Sequence, residues 1–231
     1  MIYAILLSIL VGLALSYSQL QEIYNFLRAK STLDSSGQVK VNGVVKANVI
    51  TSPLSQSPCA LWKVEVTHWS GGRHARETSI LSKSSDASFV VKDGGHSFQI
   101  YPTHAKLELK PSEHTWTAGM WWNPVEQEGL DPKIKEAILA MGVSLPAVQE
   151  KLGVRVYESF VQAGDEILLA GNISSQGGVE TFVSDEEVPL TISEWDEGTI
   201  LGKLYRRVAY NLGAALVIGI MGYILFFTPK K

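Results

Sequence analysis

Twenty consecutive residues near the end of the chain, Val208 to Phe227, contain no charge. At a helical rise they extend about 30 Å, the hydrocarbon thickness of a bilayer. Arg206 and Arg207 stand before the stretch, and Lys230 and Lys231 after it. A buried core helix would keep a polar stripe and run shorter. Charges that stop abruptly at both ends of an apolar 20-mer predict a membrane-spanning helix, because a charge at mid-bilayer is costly.

The opposite end has the same character. Met1 to Gln21 carries no charged side chain, and Ile2 to Leu15 is almost wholly apolar. Ala14-Leu15-Ser16 could serve as the cleavage site of a secretory signal, but no Lys or Arg opens the stretch as such signals require. The helical spacing also continues through Leu20, Ile23, Tyr24 and Leu27. An uncleaved anchor is the expectation. Between the two ends, about 175 residues separate Lys30 from Arg206, enough to bury a core.

The net charge of −3 carries no basic signature for nucleic acid. The charge is unevenly placed. Between Arg155 and Lys203 there is no basic residue, but there are ten acids: Glu158, Asp165, Glu166, Glu180, Asp185, Glu186, Glu187, Glu194, Asp196 and Glu197. Such a run reads as a solvated acidic face. The single cysteine, Cys59, excludes an internal disulfide framework. With five histidines the chain offers six Cys and His residues, short of the eight that two tetrahedral zinc sites need. A RING-type cross-brace is excluded.

In the middle region, β patterns dominate. Val39 to Val49 alternates and is valine-rich; Thr51 to Cys59 is a Ser/Pro loop. In ALWKVEVTHW (Ala60 to Trp69), Trp62, Val64 and Val66 fall on one face, with Lys63, Glu65 and Thr67 on the other. Gly71-Gly72 ends that strand. Ser88 to Val91, Ser97 to Tyr101 and Ala105 to Leu109 predict a meander, with a hairpin turn at Asp93-Gly94-Gly95. His114 to Pro132 reads as an aromatic loop. Asp131 and Pro132 then open a helix with Ile134, Ile138 and Met141 on its apolar stripe, and a second short helix is expected over Ser144 to Lys151. Val154 to Val161, Glu166 to Ala170 and Val179 to Ser184 return to strand. The expected fold is α+β: a mostly antiparallel β domain over 38–203 with one or two short helices. It is flanked by transmembrane helices at 1–29 and 207–227.

Complete chemistry is not evident. The histidines His68, His74, His96, His104 and His114 match no compact ligand spacing, so no metal site is expected. Cys59 follows Pro58 without a nucleophile context, and packing is its expected role. No phosphate loop, nucleophile elbow or dinucleotide fingerprint appears, so neither catalytic residues nor a cofactor are assigned. Trp116, Met120, Trp121 and Trp122 crowd one loop. They cover the sheet as core, anchor at a lipid interface, or form a partner hot spot. Ser8, Gly12 and Ser16 on the first helix, and Ala215 and Gly219 on the second, have helix-packing spacing. Asn211 is either an interhelical hydrogen-bond donor or a headgroup-level residue.

The order of VNGVVKA (from Val41), SPLSQSPCALWKVEVTHWSGG (from Ser52), SFVVKDGGHSFQIYP (from Ser88), YESFVQAGDEILLAGNI (from Tyr157) and VETFVSDEEVPLTI (from Val179), with apolar segments on both sides, resembles the GIDE/MAPL family. These are mitochondrial E3 ubiquitin ligases with a GIDE, or BAM (beside-a-membrane), domain between two spans. The resemblance covers nearly the whole chain. In the animal ligases a RING follows the second span, whereas here only Thr228 to Lys231 remain. The resemblance therefore implies the non-catalytic half, in a RING-less and prokaryotic member: a binding or scaffold domain that recruits a protein partner or oligomerises beside the lipid bilayer. Its place would be a cell membrane, or the mitochondrial outer membrane in a eukaryote. A role within a ubiquitin-like transfer pathway is the alternative. Flanking Arg and Lys residues favour a cytoplasmic domain by the positive-inside rule, while the animal relatives place theirs in the intermembrane space.

Overall fold

The structure is a computed structural model. It describes residues 10, 14, 16–17, 19–21, 23–24, 26–27, 38–47, 49–70, 76–111, 115–118, 130–142, 153–176, 179–184 and 189–227. Two compact units emerge. A helical unit joins the two chain ends, Met1–Gln38 and Asp196–Lys231, and a β unit comprises Val39–Trp195.

The β unit is built from thirteen strands among the described residues. These are β1 (Gln38–Val45), β2 (Ile50–Thr51), β3 (Pro58–Cys59), β4 (Leu61–Ser70), β5 (Arg76–Ser84), β6 (Phe89–Asp93) and β7 (His96–Ile100), then β8 (Lys106–Glu108), β9 (Thr115–Ala118), β10 (Val154–Val161), β11 (Glu166–Gln176), β12 (Val179–Val183) and β13 (Thr191–Ser193). Helix α1 (Pro132–Ala140) lies between β9 and β10.

Five strands close on themselves in the order β1-β6-β7-β12-β11 and back to β1, with β13 and β8 continuing from β11. Counted along the chain, the ring runs first, second, third, fifth, fourth, first. The third and fifth strands, β7 and β12, are its parallel pair. This is the Greek-key order of an OB-type barrel. The closing seam is tied where Val45 N donates to Asp165 O at 3.0 Å and Gly164 N donates to Val45 O at 2.9 Å. Closure leaves no free edge within the ring. Alternating positions fill it: Val39 and Val41 from β1, Phe89 and Val91 from β6, Phe98 and Ile100 from β7, and Phe182 from β12 are all buried. Phe98 and Phe182 meet edge-on across the parallel pair, with centroids 5.5 Å apart.

Two local features explain how the ring is drawn tight. The β6–β7 hairpin turns on Gly94-Gly95, with Gly94 at φ +54°, the left-handed geometry that a two-residue hairpin loop demands. In β1, Gly43 admits a close neighbour: a Cβ there would lie 2.5 Å from Val91 Cγ1 and 2.8 Å from Lys92 O.

The second sheet, in the order β5-β4-β10-β9, is antiparallel throughout. Its two central strands pair over eight positions, from Val154 opposite His68 to Val161 opposite Leu61. One face carries Val64, Val66, Val154 and Val156, and packs with Leu130, Ile134 and Ile138. The α1 start is as expected: Asp131 Oδ1 accepts from Lys133 N at 2.8 Å, and Pro132 needs no donor partner.

Several expectations are corrected. The fold is mostly β, with 46% of it in strand and a five-stranded barrel, rather than α+β. Among the described residues α1 is the only helix of the β unit, and the segment 144–151 lies outside them. The three-strand meander is broken: β8 pairs in parallel with β13. His104, at φ +61°, and the bond from Ala105 N to Pro102 O turn the chain away from β7. Strands β5 and β9 were not expected.

The helical unit also differs from expectation. Its first helix is described at positions between 10 and 27, and its second, α2, runs Glu197–Phe227. Asp196 opens α2: its carboxylate accepts from Thr199 N and Thr199 Oγ1. These two bonds, the side-chain one first, hold the Asp196 carboxyl below the usual carboxylate range. Among the described residues no helix is long and apolar enough to cross a membrane. The Val208–Phe227 stretch is not a separate helix. It continues one that starts at Glu197 and carries Lys203, Arg206 and Arg207, and within the stretch Asn211 donates to Gln19 of the first helix. This corrects the expected transmembrane helices at 1–29 and 207–227, and with them the expected placement as a multi-pass protein of a cell membrane or the mitochondrial outer membrane.

Candidate functional sites

Three places in the chain concentrate chemistry. The first is a buried carboxylate in the β unit. Glu158 is fully buried on β10, and its two oxygens accept from Leu54 N at 2.9 Å and Ser55 N at 3.0 Å. The loop that supplies these donors is held by its own serines. Ser57 N donates to Ser52 Oγ at 3.0 Å, Ser55 Oγ donates to Ser57 Oγ at 3.0 Å, and Ser52 Oγ lies 2.8 Å from Ser55 Oγ. Leu54 packs on the apolar cluster under α1. A carboxylate that accepts two backbone N–H groups is a structural clamp. The solvated acidic face expected for this part of the chain therefore does not include Glu158.

Cys59 ends the same loop, also fully buried. Burial, and next the charge of Glu158, push its thiol up to about 11. Only the thiolate is a nucleophile, so Cys59 stays protonated at neutral pH and is a packing residue.

The second place is the aromatic region. Trp116 sits on β9 opposite Val156 and packs, half-buried, on the cluster that holds Ile134 and Ile138. Met120, Trp121 and Trp122 lie outside the described residues. Of the histidines, His74 and His114 also lie outside them; His68 is on β4, and His96 opens β7 beside Glu180, with Nδ1 3.3 Å from Oε2. Among the described residues no group of three His, Cys, Asp or Glu could hold a metal ion.

The third place is the helical unit. On the first helix, Ser16, Ile23 and Phe26 are buried; on α2, Ile200, Leu204 and Val208 are buried. The first set is spaced by seven and three residues and the second by four and four, so each lies on one helical stripe. In line with these stripes, Asn211 Nδ2 donates to Gln19 Oε1 at 3.1 Å. Asn211 is thus an interhelical donor. Ser16 lies on the buried stripe, Ala215 is half-buried and Gly219 lies within α2, while Ser8 and Gly12 are outside the described residues.

Two outward features of α2 were not read from the sequence. Tyr210, Ala214, Val217 and Met221 follow one another at four, three and four residues, the spacing of a coiled-coil seam. All four are exposed, Tyr210 at 76%, Val217 at 54% and Met221 at 58%. Nearer the start of α2, a cleft of about 390 Å³ is lined by Lys203, Arg206, Arg207, Tyr210 and Asn211, with Gln19 opposite. Lys203 with Arg206 and with Arg207 are like-charge neighbours at i,i+3 and i,i+4. Each such pair costs a helix about 0.2–0.5 kcal/mol.

No family model, curated protein or solved structure matches this chain.

Proposed function

We infer that this chain is a binding or scaffold module that self-associates through α2 and displays its β unit. The carrying observation is the exposed seam of Tyr210, Ala214, Val217 and Met221. Large apolar side chains at seven-residue spacing gain free energy by interdigitating with a second helix. The occupant that fits is a second copy of the chain. Val208–Phe227 has no charge, so the seam offers no electrostatic code for choosing a different partner. An uncharged apolar stripe is, however, complementary to itself across a two-fold axis. The sequence resemblance to the non-catalytic half of the GIDE/MAPL family supports a binding role, and the high thiol pKa of Cys59 argues against a cysteine-centred transfer reaction.

The test is sedimentation velocity on the full chain over a micromolar series. Wild type is expected to sediment as a dimer or larger, and Val217→Glu/Met221→Glu as a monomer with an unchanged thermal transition of the β unit. A monomeric wild type, or a variant that remains associated, refutes the reading.

A further inference from the structure

We propose that the cleft between the first helix and α2 is a binding site for a phosphate group. Its lining converges three cations, Lys203, Arg206 and Arg207, on one face of α2, with the Tyr210 hydroxyl and Asn211 one turn further on. Positions 203, 206, 207, 210 and 211 share a face because they recur at the helical period. Gln19 closes the cleft from the other helix. The direction of its bond with Asn211 matters. Asn211 Nδ2 donates to Gln19 Oε1, which leaves the Gln19 amide nitrogen as a donor at the same place. No carboxylate is among the described residues lining the cleft.

This chemistry selects its ligand class. Guanidinium groups present paired donors that match tetrahedral oxyanions, and a lysine adds a point charge. The cations lie some six to ten residues inside α2, beyond the reach of the helix dipole, so the side chains alone supply the field. A phosphomonoester, with two charges and several acceptor oxygens, satisfies this lining better than a carboxylate does. The phosphate is either free in solution or the headgroup of a lipid, and both present the same oxyanion. Of the seam residues only Tyr210 also lines the cleft; Val217 and Met221, whose substitution tests self-association, are not part of the lining, so the two readings fail separately.

The test uses the full chain at constant ionic strength. Inorganic phosphate is titrated calorimetrically, and flotation is measured with vesicles of phosphatidylcholine with and without phosphatidic acid. The proteins are wild type, Arg206→Gln/Arg207→Gln, and Lys83→Gln/Lys92→Gln, which removes two exposed charges of the β unit. Saturable phosphate binding that weakens by about 10-fold or more only in the arginine variant supports the site with a free phosphate as ligand. Flotation with phosphatidic acid alone, lost only in the arginine variant, supports it with a headgroup as ligand. No binding to either probe overturns the proposal, as does an equal loss in the lysine variant, which marks non-specific charge attraction.

Discussion

Replacing Glu158 with glutamine removes one charge from the interior of the β unit and leaves the side chain's shape almost unchanged. Two effects oppose each other. Neutralising a fully buried group relieves a desolvation cost. Against that, the carboxylate accepts two backbone N–H groups, from Leu54 and Ser55, and a charge-assisted bond contributes about 1.5–3 kcal/mol. Glutamine has one oxygen. It keeps one bond, in weaker neutral form, and turns an NH₂ toward the other amide. That leaves two donors facing each other, at about 1–3 kcal/mol. The loss exceeds the relief, because the clamp had already compensated the carboxylate. The expected cost is about 2–3 kcal/mol, or roughly 4–12 °C in the transition of a domain this size. Glu158→Met removes both acceptors, leaves the Leu54 and Ser55 amides unsatisfied, and costs more, at about 1–3 kcal/mol for each amide. Urea unfolding followed by tryptophan fluorescence measures both. Cys59 gives a second, local readout. Its thiol is raised first by burial and second by Glu158, so in Glu158→Gln its pKa falls from about 11 without returning to the ordinary value. The pH dependence of its reaction with an aromatic disulfide reports this. A Glu158→Gln protein as stable as wild type, with unchanged thiol titration, refutes the clamp.

Gly43→Ala places a methyl group against Val91 and the Lys92 carbonyl; chemical denaturation should show a loss of about 1–3 kcal/mol. Trp116→Ala should cost about 2 kcal/mol from lost packing on the α1 cluster, and an unchanged stability would place the ring outside that core. The Glu194 carboxyl, which accepts from Lys110 N at 2.7 Å, is raised, chiefly by burial. Its protonated form is the one the fold favours. Its contribution is therefore complete below the ordinary carboxyl value and is lost as pH rises through the raised one. Glu194→Gln should gain on wild type as pH rises above 4.5 in parallel thermal melts. The same sign applies to Cys59: between pH 9.0 and about 11 wild type should lose stability faster than Cys59→Ala.

Which parts of this fold are legible from the sequence follows from which side chains are buried. Strands β1, β4 and β10 announce themselves because one face of each is buried, so valines recur at every second position. Strand β5 does not. It is an edge strand whose Ser, Thr, Lys and Glu side chains face solvent, and its half-buried residues Ile80 and Leu81 are adjacent rather than alternating. The α1 cap is local chemistry and is therefore readable. Barrel closure joins Val45 to Asp165 across more than a hundred residues, and no local pattern encodes that. The Glu158 clamp is equally non-local: a glutamate amid other acids looks solvated until Leu54 and Ser55 are brought to it. On α2, the run from Val208 drew attention to its lack of charge. Its heptad spacing and the cationic face just before it are geometric facts that appear only once the helix is extended back to Glu197.

The division of the chain into units sets a schedule for its synthesis. The helical unit needs both Met1–Gln38 and Asp196–Lys231, and the ribosome makes one before the β unit and the other after it. All of Val39–Trp195 is translated in between, which at about 5–20 residues per second takes roughly 8–30 s. The nascent β unit has that interval in which to close its barrel. Throughout it, Ile23 and Phe26 wait without the α2 residues that complete their unit. The apolar side of the first helix is thus a timed vulnerability, and a chaperone or a neighbouring nascent chain would meet it before α2 does.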